Sequence, residues 1–578
     1  MKLLTQILSL LIIILLISCA KQSTPMGGDK DETPPKLVSV KPINESTNVS
    51  PQTIELEFDE FIKIDNPNKQ IIITPKIKKD EMVVTAIKNK VVIKLNQDLE
   101  ENTTYVFNFQ KSIQDITESN PAENLKLVFS TGDKIDSLKF SGKVSYVFPP
   151  KDKFMKDVLV GLYEKNDTTD VLTAPPYYIA ATDSSGNFEI TNIKAGDYRA
   201  YAWFDSNNSL KAEEKSEPYA FYGDTITIDK DVENINFMLS KADISDLKIN
   251  RSSTIGENFD IVLSKFPTDI TIEHEDLGKK LFYRQNEKNI RFYHTEIRND
   301  SIKTRVSLKD SVGFKLDTLI YLTFEESERN KEKLETTTNS GSNFLKNIKA
   351  EYTFNKPITD INLDSLYIKF DTASTIQIKK EWIYLKDSAN YTKLLMDIPI
   401  LDTLPNTTYT IYAADSTFKD VEGLYNEKKV EASYKKLNPE TLVTSLDVVV
   451  DTEFRPLLIQ LLDKSGKVIK EVLKEDTNKH SFTDFEAGTY NLRVIFDENK
   501  NKRWDPSNMR QNRQAEKVFY YKNPTDITSM DIIIKGGWTN DIVVLTSNST
   551  EKTSEENIEQ DKTEEIIPDT EENELLRR

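Results

Sequence analysis

Two short polar loops hold the side chains of this sequence best suited to chemistry. One reads Asp497-Glu498-Asn499-Lys500-Asn501-Lys502-Arg503-Trp504-Asp505 and puts Asp497, Asn499, Asn501 and Asp505 at loop positions 1, 3, 5 and 9. The other puts Asp205, Asn207, Ser209 and Glu213 at the same positions, 292 residues upstream. Alternate oxygen side chains converge on one hard cation when a loop winds, so the spacing suits calcium. The metal would stiffen the loop rather than catalyse, because no base or nucleophile stands nearby. Twelve-residue calcium loops carry Gly at position 6 and a bidentate Glu at position 12. Here Lys502 and Leu210 occupy position 6, and Asn508 and Ser216 position 12. The competing expectation is that these Asp and Asn residues only cap turns.

Other chemistry has little to build on. The three histidines, His274, His294 and His480, are far apart in sequence and fall in no HxxxH or HExxH frame. No GxSxG serine turn is present. Acidic pairs such as Asp59/Glu60 and Glu273/Glu275 read as solvated strand faces in a chain with 94 acidic residues. Trp504, inside the polar loop, is expected to be exposed and could offer a platform for a glycan. Trp382 and Trp538 are further candidates, whereas Trp203 lies in an apolar strand and reads as core. The expectation is that the protein is not an enzyme.

Cys19 is the only cysteine. It ends Leu16-Ile17-Ser18-Cys19, after Lys2 and an apolar stretch from Ile7 to Ile17 that is too short to span a bilayer as a helix. This pattern resembles a bacterial lipobox, which implies cleavage after residue 18 and lipidation of Cys19. One cysteine cannot form an internal disulfide, and acylation removes a free thiol from an oxidising compartment. Residues 1–18 then form the signal peptide. Residues 19–35, rich in Gly, Pro, Ser, Thr and charge, form a tether.

The formal charge of -18 argues against nucleic acid as a partner. Much of it is local: residues 551–578 hold eleven Asp/Glu against four Lys/Arg and no aromatic residue. Such a segment cannot bury enough apolar area to offset its ordering entropy, so residues 547–578 are expected to be a disordered acidic tail.

The loops must be positioned by strands. Ile54, Leu56 and Phe58 alternate with Glu55, Glu57 and Asp59, the period-2 pattern of a half-buried strand. Val91/Ile93/Leu95, Tyr105/Phe107/Phe109 and Leu125/Leu127/Phe129 repeat it. With Pro34-Pro35-Lys36-Leu37-Val38, Asn102-Thr103-Thr104-Tyr105, Asp115 and Phe129-Ser130-Thr131-Gly132, residues 36–132 resemble the bacterial Ig-like domain of the S-layer protein type. The resemblance implies a structural or adhesive module. Asn406-Thr407-Thr408-Tyr409 followed by Lys419-Asp420-Val421 suggests a second such domain at 345–437. Residues 243–344 have similar patterning without that signature and read as a divergent β-sandwich.

A different module is seen twice. Ile193-Lys194-Ala195-Gly196-Asp197-Tyr198 through Trp203-Phe204-Asp205 aligns without a gap on Phe485-Glu486-Ala487-Gly488-Thr489-Tyr490 through Ile495-Phe496-Asp497. These segments resemble the transthyretin-like or carboxypeptidase-regulatory-like β-sandwich, placed at 134–242 and 439–546. Both candidate calcium loops directly follow the shared Phe-Asp.

The expected fold is all-β: a tandem array of Ig-like and transthyretin-like β-sandwich domains with a disordered C-terminal tail. The expected function is that of an exported bacterial lipoprotein, lipid-anchored at the outer membrane on either leaflet, with a structural, scaffolding or adhesive role. Its partners would be the membrane and other envelope proteins or glycans. The alternative is a glycan-binding accessory lipoprotein of a nutrient-uptake system.

Overall fold

The computed structural model describes residues 31–123, 125–148, 158–387 and 390–546. The signal segment, Cys19, most of the tether and the acidic tail lie outside the described residues. Among the described residues the architecture is all-β, with only short helical turns between strands. Two compact units emerge. Met1–Val144, Phe154–Ala212 and Asp224–Phe237 belong to one; Ser145–Lys153, Glu213–Gly223 and Met238–Arg578 belong to the other.

The first unit opens with a sandwich. One sheet orders its strands Leu37–Lys41, Thr53–Phe58, Lys90–Leu95 and Met82–Ile87. Facing it are Ile72–Thr74, Thr104–Asn108 and Lys126–Ser130, with Ile62–Ile64 paired to Ile113–Asp115. The alternation does what period 2 requires, burying Ile54, Leu56 and Phe58. Tyr105 and Phe107 each stack on Phe129 at 5.9 Å between ring centroids, filling the interior with aromatic area.

The same unit holds two further sheets, one of them Asn187–Ile193, Leu138–Tyr146 and Val232–Leu239. In the other, Leu159–Glu164 lies between Tyr178–Ala181 and Gly196–Trp203. Ile226–Ile228 pairs with the start of Gly196–Trp203, so that Gly196 faces Ile228 and Tyr198 faces Ile226.

In the second unit, two sheets repeat the strand order that opens the chain. Ile249–Ile255, Asn258–Leu263, Asn289–His294 and Leu281–Asn286 form one. Thr336–Thr338, Asn347–Phe354, Asn390–Pro399 and Ile383–Asp387 form the other. In all three sheets the chain's first two strands are neighbours and the fourth pairs back onto the second. The region whose sequence looked divergent therefore has the same strand order as the sheets of residues 37–95 and 336–399.

The last sandwich packs Lys479–Phe482, Ser445–Asp451 and Thr539–Leu545 against Val468–Lys474, Leu457–Leu462, Gly488–Phe496 and Val518–Tyr520. Gly488 faces Ile534 and Tyr490 faces Ile532, the register seen at Gly196 and Tyr198. Tyr490 donates to the carbonyl of Glu486 at 2.7 Å, and Tyr198 to that of Lys194 at 2.8 Å.

One turn recurs across both units. Asp183, Asp310, Asp420 and Asp463 each begin Asp-x-x-Gly, and Gly186, Gly313, Gly423 and Gly466 adopt φ of 84°, 96°, 83° and 85°. Each Asp carboxylate accepts the N–H four residues on, at 2.8 Å for Asn187, Phe314 and Leu424 and 3.0 Å for Lys467. The glycine supplies a left-handed backbone and the carboxylate satisfies the N–H groups that the turn frees.

Candidate functional site

The strand Gly488–Phe496 delivers Asp497 into a fully buried position at the mouth of its loop. Its carboxylate accepts the backbone N–H of Asn501 at 3.0 Å and of Lys502 at 2.8 Å, winding the loop around itself. Asn499 Oδ1 also accepts the Asn501 N–H, at 3.1 Å, and Asn501 Oδ1 accepts that of Arg503 at 2.9 Å. Asp505 closes the ring, its Oδ2 taking the side-chain amides of Asn499 and of Asn501, the latter at 2.9 Å. The structure therefore brings all four candidate residues together.

The loop also has a member the sequence reading missed. Glu516, 5% exposed, accepts the N–H of Glu498 at 2.9 Å and of Asp505 at 2.9 Å. Burial, and then the charges of Asp505 and Asp497, push its carboxyl up to about 7. Three buried carboxylates thus crowd one loop, and Arg503 Nε lies 3.8 Å from Asp505 Oδ1.

The upstream loop winds the same way. Ser209 N–H donates to Asp205 at 3.0 Å and to Asn207 at 2.9 Å, and Leu210 N–H donates to Asp205 at 2.8 Å. Glu213 falls in the second compact unit, where its N–H donates to Glu217 at 3.0 Å. Glu217 stands two residues before Tyr219–Phe221, and Glu516 two before Val518–Tyr520, so each glutamate takes the N–H of position 9. The glycine missing from position 6 is replaced in conformation only. Leu210 and Lys502 hold φ of 59° and 61°, and Asn208 and Lys500 at position 4 hold 61° and 60°.

These side chains offer a cation mixed carboxylate and amide oxygens, the hard donors that calcium takes. Among the described residues no three His, Cys, Asp or Glu side chains are themselves arranged to hold a metal.

Trp504 corrects the sequence expectation of an exposed ring. It is half-buried, its edge meets Phe148 at 4.6 Å between ring centroids, and its Nε1 donates to the Glu516 carbonyl at 2.9 Å. The ring joins a small apolar cluster with Val147, Leu458, Ile495 and Val518. A polar loop exposes its rings only when nothing packs beneath them, and here a segment from far upstream does. Trp203 is fully buried, Trp382 is half-buried, and Trp538 is 56% exposed.

Beyond the winding region, residues 503–514 are a junction inside the second unit. Ser507 receives Tyr219 Oη at its carbonyl at 2.8 Å and meets Ser240 Oγ at 2.6 Å. Arg513 donates to the carbonyl of Val312 at 2.8 Å, and Gln514 to that of Phe221 at 3.0 Å. Arg510 pairs with Glu214 and, at 3.2 Å, with Asp246. The candidate loop is therefore tied to segments far upstream of it in sequence.

The histidines stay apart. His274 Nδ1 accepts the N–H of Asp276 at 3.1 Å, His294 Nδ1 lies 2.7 Å from the Glu296 carbonyl, and His480 packs on Phe482. Burial, then the charges of Lys474 and Lys470, lowers the His480 pKa.

Comparison with known proteins gives two matches to family profiles. Residues 31–131 match the bacterial Ig-like domain, and residues 153–209 match polysaccharide lyase family 4, domain II. No curated protein matches the sequence. Among solved structures, the major pilin subunit of Bacillus cereus is 10% identical over 71% of this chain and 99% of its own, with a TM-score of 0.13. Domains 1–6 of the surface layer protein SbsC are 10% identical over 80% of this chain and 65% of theirs, at 0.16. SGBP-B of the Bacteroides ovatus mixed-linkage glucan utilization locus, in complex with a mixed-linkage heptasaccharide, is 12% identical over 57% of this chain and 81% of its own, at 0.16. Likeness of that degree carries nothing about activity. With an Ig-like match at its start and the same four-strand sheet recurring twice further on, the chain is a tandem series of Ig-like β-sandwiches.

Proposed function

We propose that this chain is a non-enzymatic envelope lipoprotein. Cys19 carries the lipid anchor at the outer membrane, residues 19–35 act as tether, and the sandwiches serve as scaffold or adhesive surface. The modules span 36–132, 134–242, 243–344, 345–437 and 439–546. The recurrence of one sheet order in three sandwiches carries the reading, since repeated modules present surface and spacing rather than a reaction centre. Several acyl chains, at about 0.8 kcal/mol per buried CH2, would hold such a protein on a bilayer. The test is fractionation of cells making the full chain. Wild type should sediment with membranes and Cys19→Ser should appear in the soluble fraction; a Cys19→Ser protein still in the membrane ends the anchor.

Within this reading the Asp497 and Asp205 loops are calcium sites that stiffen their modules, with Glu516 as an added ligand of the Asp497 loop. The crowding of Asp497, Asp505 and Glu516 supports it: burial first, and then the charges of Asp505 and Asp497, raise Glu516, and a divalent cation would relieve that repulsion. A glycan-binding role would rest on Trp538 rather than Trp504, and on the match of residues 153–209 to a polysaccharide lyase domain. Saturable binding of soluble polysaccharide, lost in Trp538→Ala, would favour it over the scaffold.

A further inference from the structure

Two lysines of the second unit are sealed against aspartates at the same place in two sandwiches. Lys356 stands two residues beyond the strand Asn347–Phe354, and Lys265 two beyond Asn258–Leu263. Each meets the Asp of an Asp-x-x-Gly turn: Lys356 with Asp420, and Lys265 with Asp310. Side-chain exposures are 1% and 0% in the first pair and 5% and 2% in the second. Buried charges recover their desolvation cost only in good hydrogen-bond geometry. That geometry is missing. Among the described residues Oδ2 of both aspartates accepts no hydrogen bond, although Lys265 Nζ is 2.5 Å from Asp310 Oδ2 and Lys356 Nζ is in contact with Asp420 Oδ2. Each nitrogen presses on the carboxyl group without lying where Oδ2 could accept a proton from it.

Around Lys356 the remaining groups suit one reaction. Asp420 Oδ1 accepts the backbone N–H of Glu422 at 2.9 Å and of Leu424 at 2.8 Å, leaving Oδ2 as the oxygen without a donor. Glu422 Oε2 lies 3.0 Å from Lys356 Nζ, and Asn258 holds Oε1 at 2.8 Å. Nζ also donates to the Glu332 carbonyl at 2.5 Å, which fixes the nitrogen.

We propose that Lys356 and Asp420 join as an intramolecular amide, with Glu422 carrying the protons. Glu422 takes one proton from the Nζ ammonium, and the freed amine attacks Asp420 Cγ. The Glu422 and Leu424 N–H groups hold the negative charge that develops on Oδ1. The Cγ–Oδ2 bond then breaks, and Oδ2 leaves as water with two protons from Nζ, both passed through Glu422. Three N–H hydrogens become one amide hydrogen and two in water, so nothing is oxidised or reduced and no co-reactant is needed. A buried ion pair becomes a neutral group, which the dry surroundings favour.

The test is tandem mass spectrometry on digests of the denatured full chain. Wild type should give one branched peptide joining Lys356 to Asp420, a water lighter than its two linear parts. Lys356→Arg should abolish it. Glu422→Gln, with its folding checked by circular dichroism, should reduce the branched form at least tenfold. Recovery of Lys356 and Asp420 only in linear peptides from wild type would overturn the proposal. Among the described residues no second carboxylate is paired with Lys265, so Lys265 and Asp310 should appear unlinked. A branched peptide there, or an undiminished one in Glu422→Gln, would remove Glu422 from its role.

Discussion

At the residue scale, Leu210 and Lys502 show how a loop can keep a backbone while losing its expected residue. Both sit in the left-handed region, where a side chain costs roughly 1–2 kcal/mol and glycine costs little. Such strain persists only where the surroundings determine it, and here the aspartate at position 1 of each loop fixes the N–H of the strained residue. Calcium at millimolar concentration should therefore raise the thermal midpoint of the full chain's loop-bearing transition, and Asp497→Ala should abolish the rise. Glu516 gives this an independent reading through pH. Its folded pKa of about 7 lies above the ordinary 4.5, so its stabilising contribution is complete at low pH and fades as pH rises through 7. In chelator, the thermal midpoint should fall between pH 5 and 8; Glu516→Gln should flatten that slope, and calcium should restore the midpoint at pH 8. A slope unchanged in Glu516→Gln would show that its carboxyl does not titrate as described.

At the element scale, the Asp-x-x-Gly turns isolate a single cost. A Cβ on Gly466 would meet nothing within 4 Å, so Gly466→Ala changes backbone strain alone. It should destabilise by about 1–2 kcal/mol, measured by denaturant unfolding, because φ there is 85°. A neutral result would mean the turn relaxes. These turns also mark what sequence can reveal. Alternation in Thr53–Phe58 named its buried face, because period 2 is written locally. The kinship of the 243–344 region was harder to see. Its common ground with the other Ig-like modules is a strand order and a residue two beyond a strand, Glu60, Lys265 or Lys356, whose identity changes. Glu516 and Glu217 were hidden for a related reason. Eleven residues separate Asp505 from Glu516, but four separate Glu213 from Glu217, so no fixed spacing signals them. Trp504 was misjudged because its partner Phe148 comes from a segment more than three hundred residues upstream.

At the scale of the whole molecule, the division into units cuts through the segment that the sequence assigned to one module. Residues 145–153 and 213–223 belong with the later part of the chain. Tyr219 and Ser240 meet the junction around Ser507, so deleting residues 503–514 should disturb more than the last sandwich. Limited proteolysis of that deletion should release cleavage sites in 213–223 and 243–344 as well as near 500. Cuts confined to the deletion's neighbourhood would show the junction to be passive. The last sandwich adds a mechanical property. Ser445–Asp451 and Thr539–Leu545 run parallel through seven paired residues, from Ser445 beside Thr539 to Asp451 beside Leu545. The chain thus enters that sheet at one end and leaves it at the other. Tension between residues 445 and 545 would load every rung of this ladder at once, in shear. The strands would have to slide past each other together rather than unzip one bond at a time.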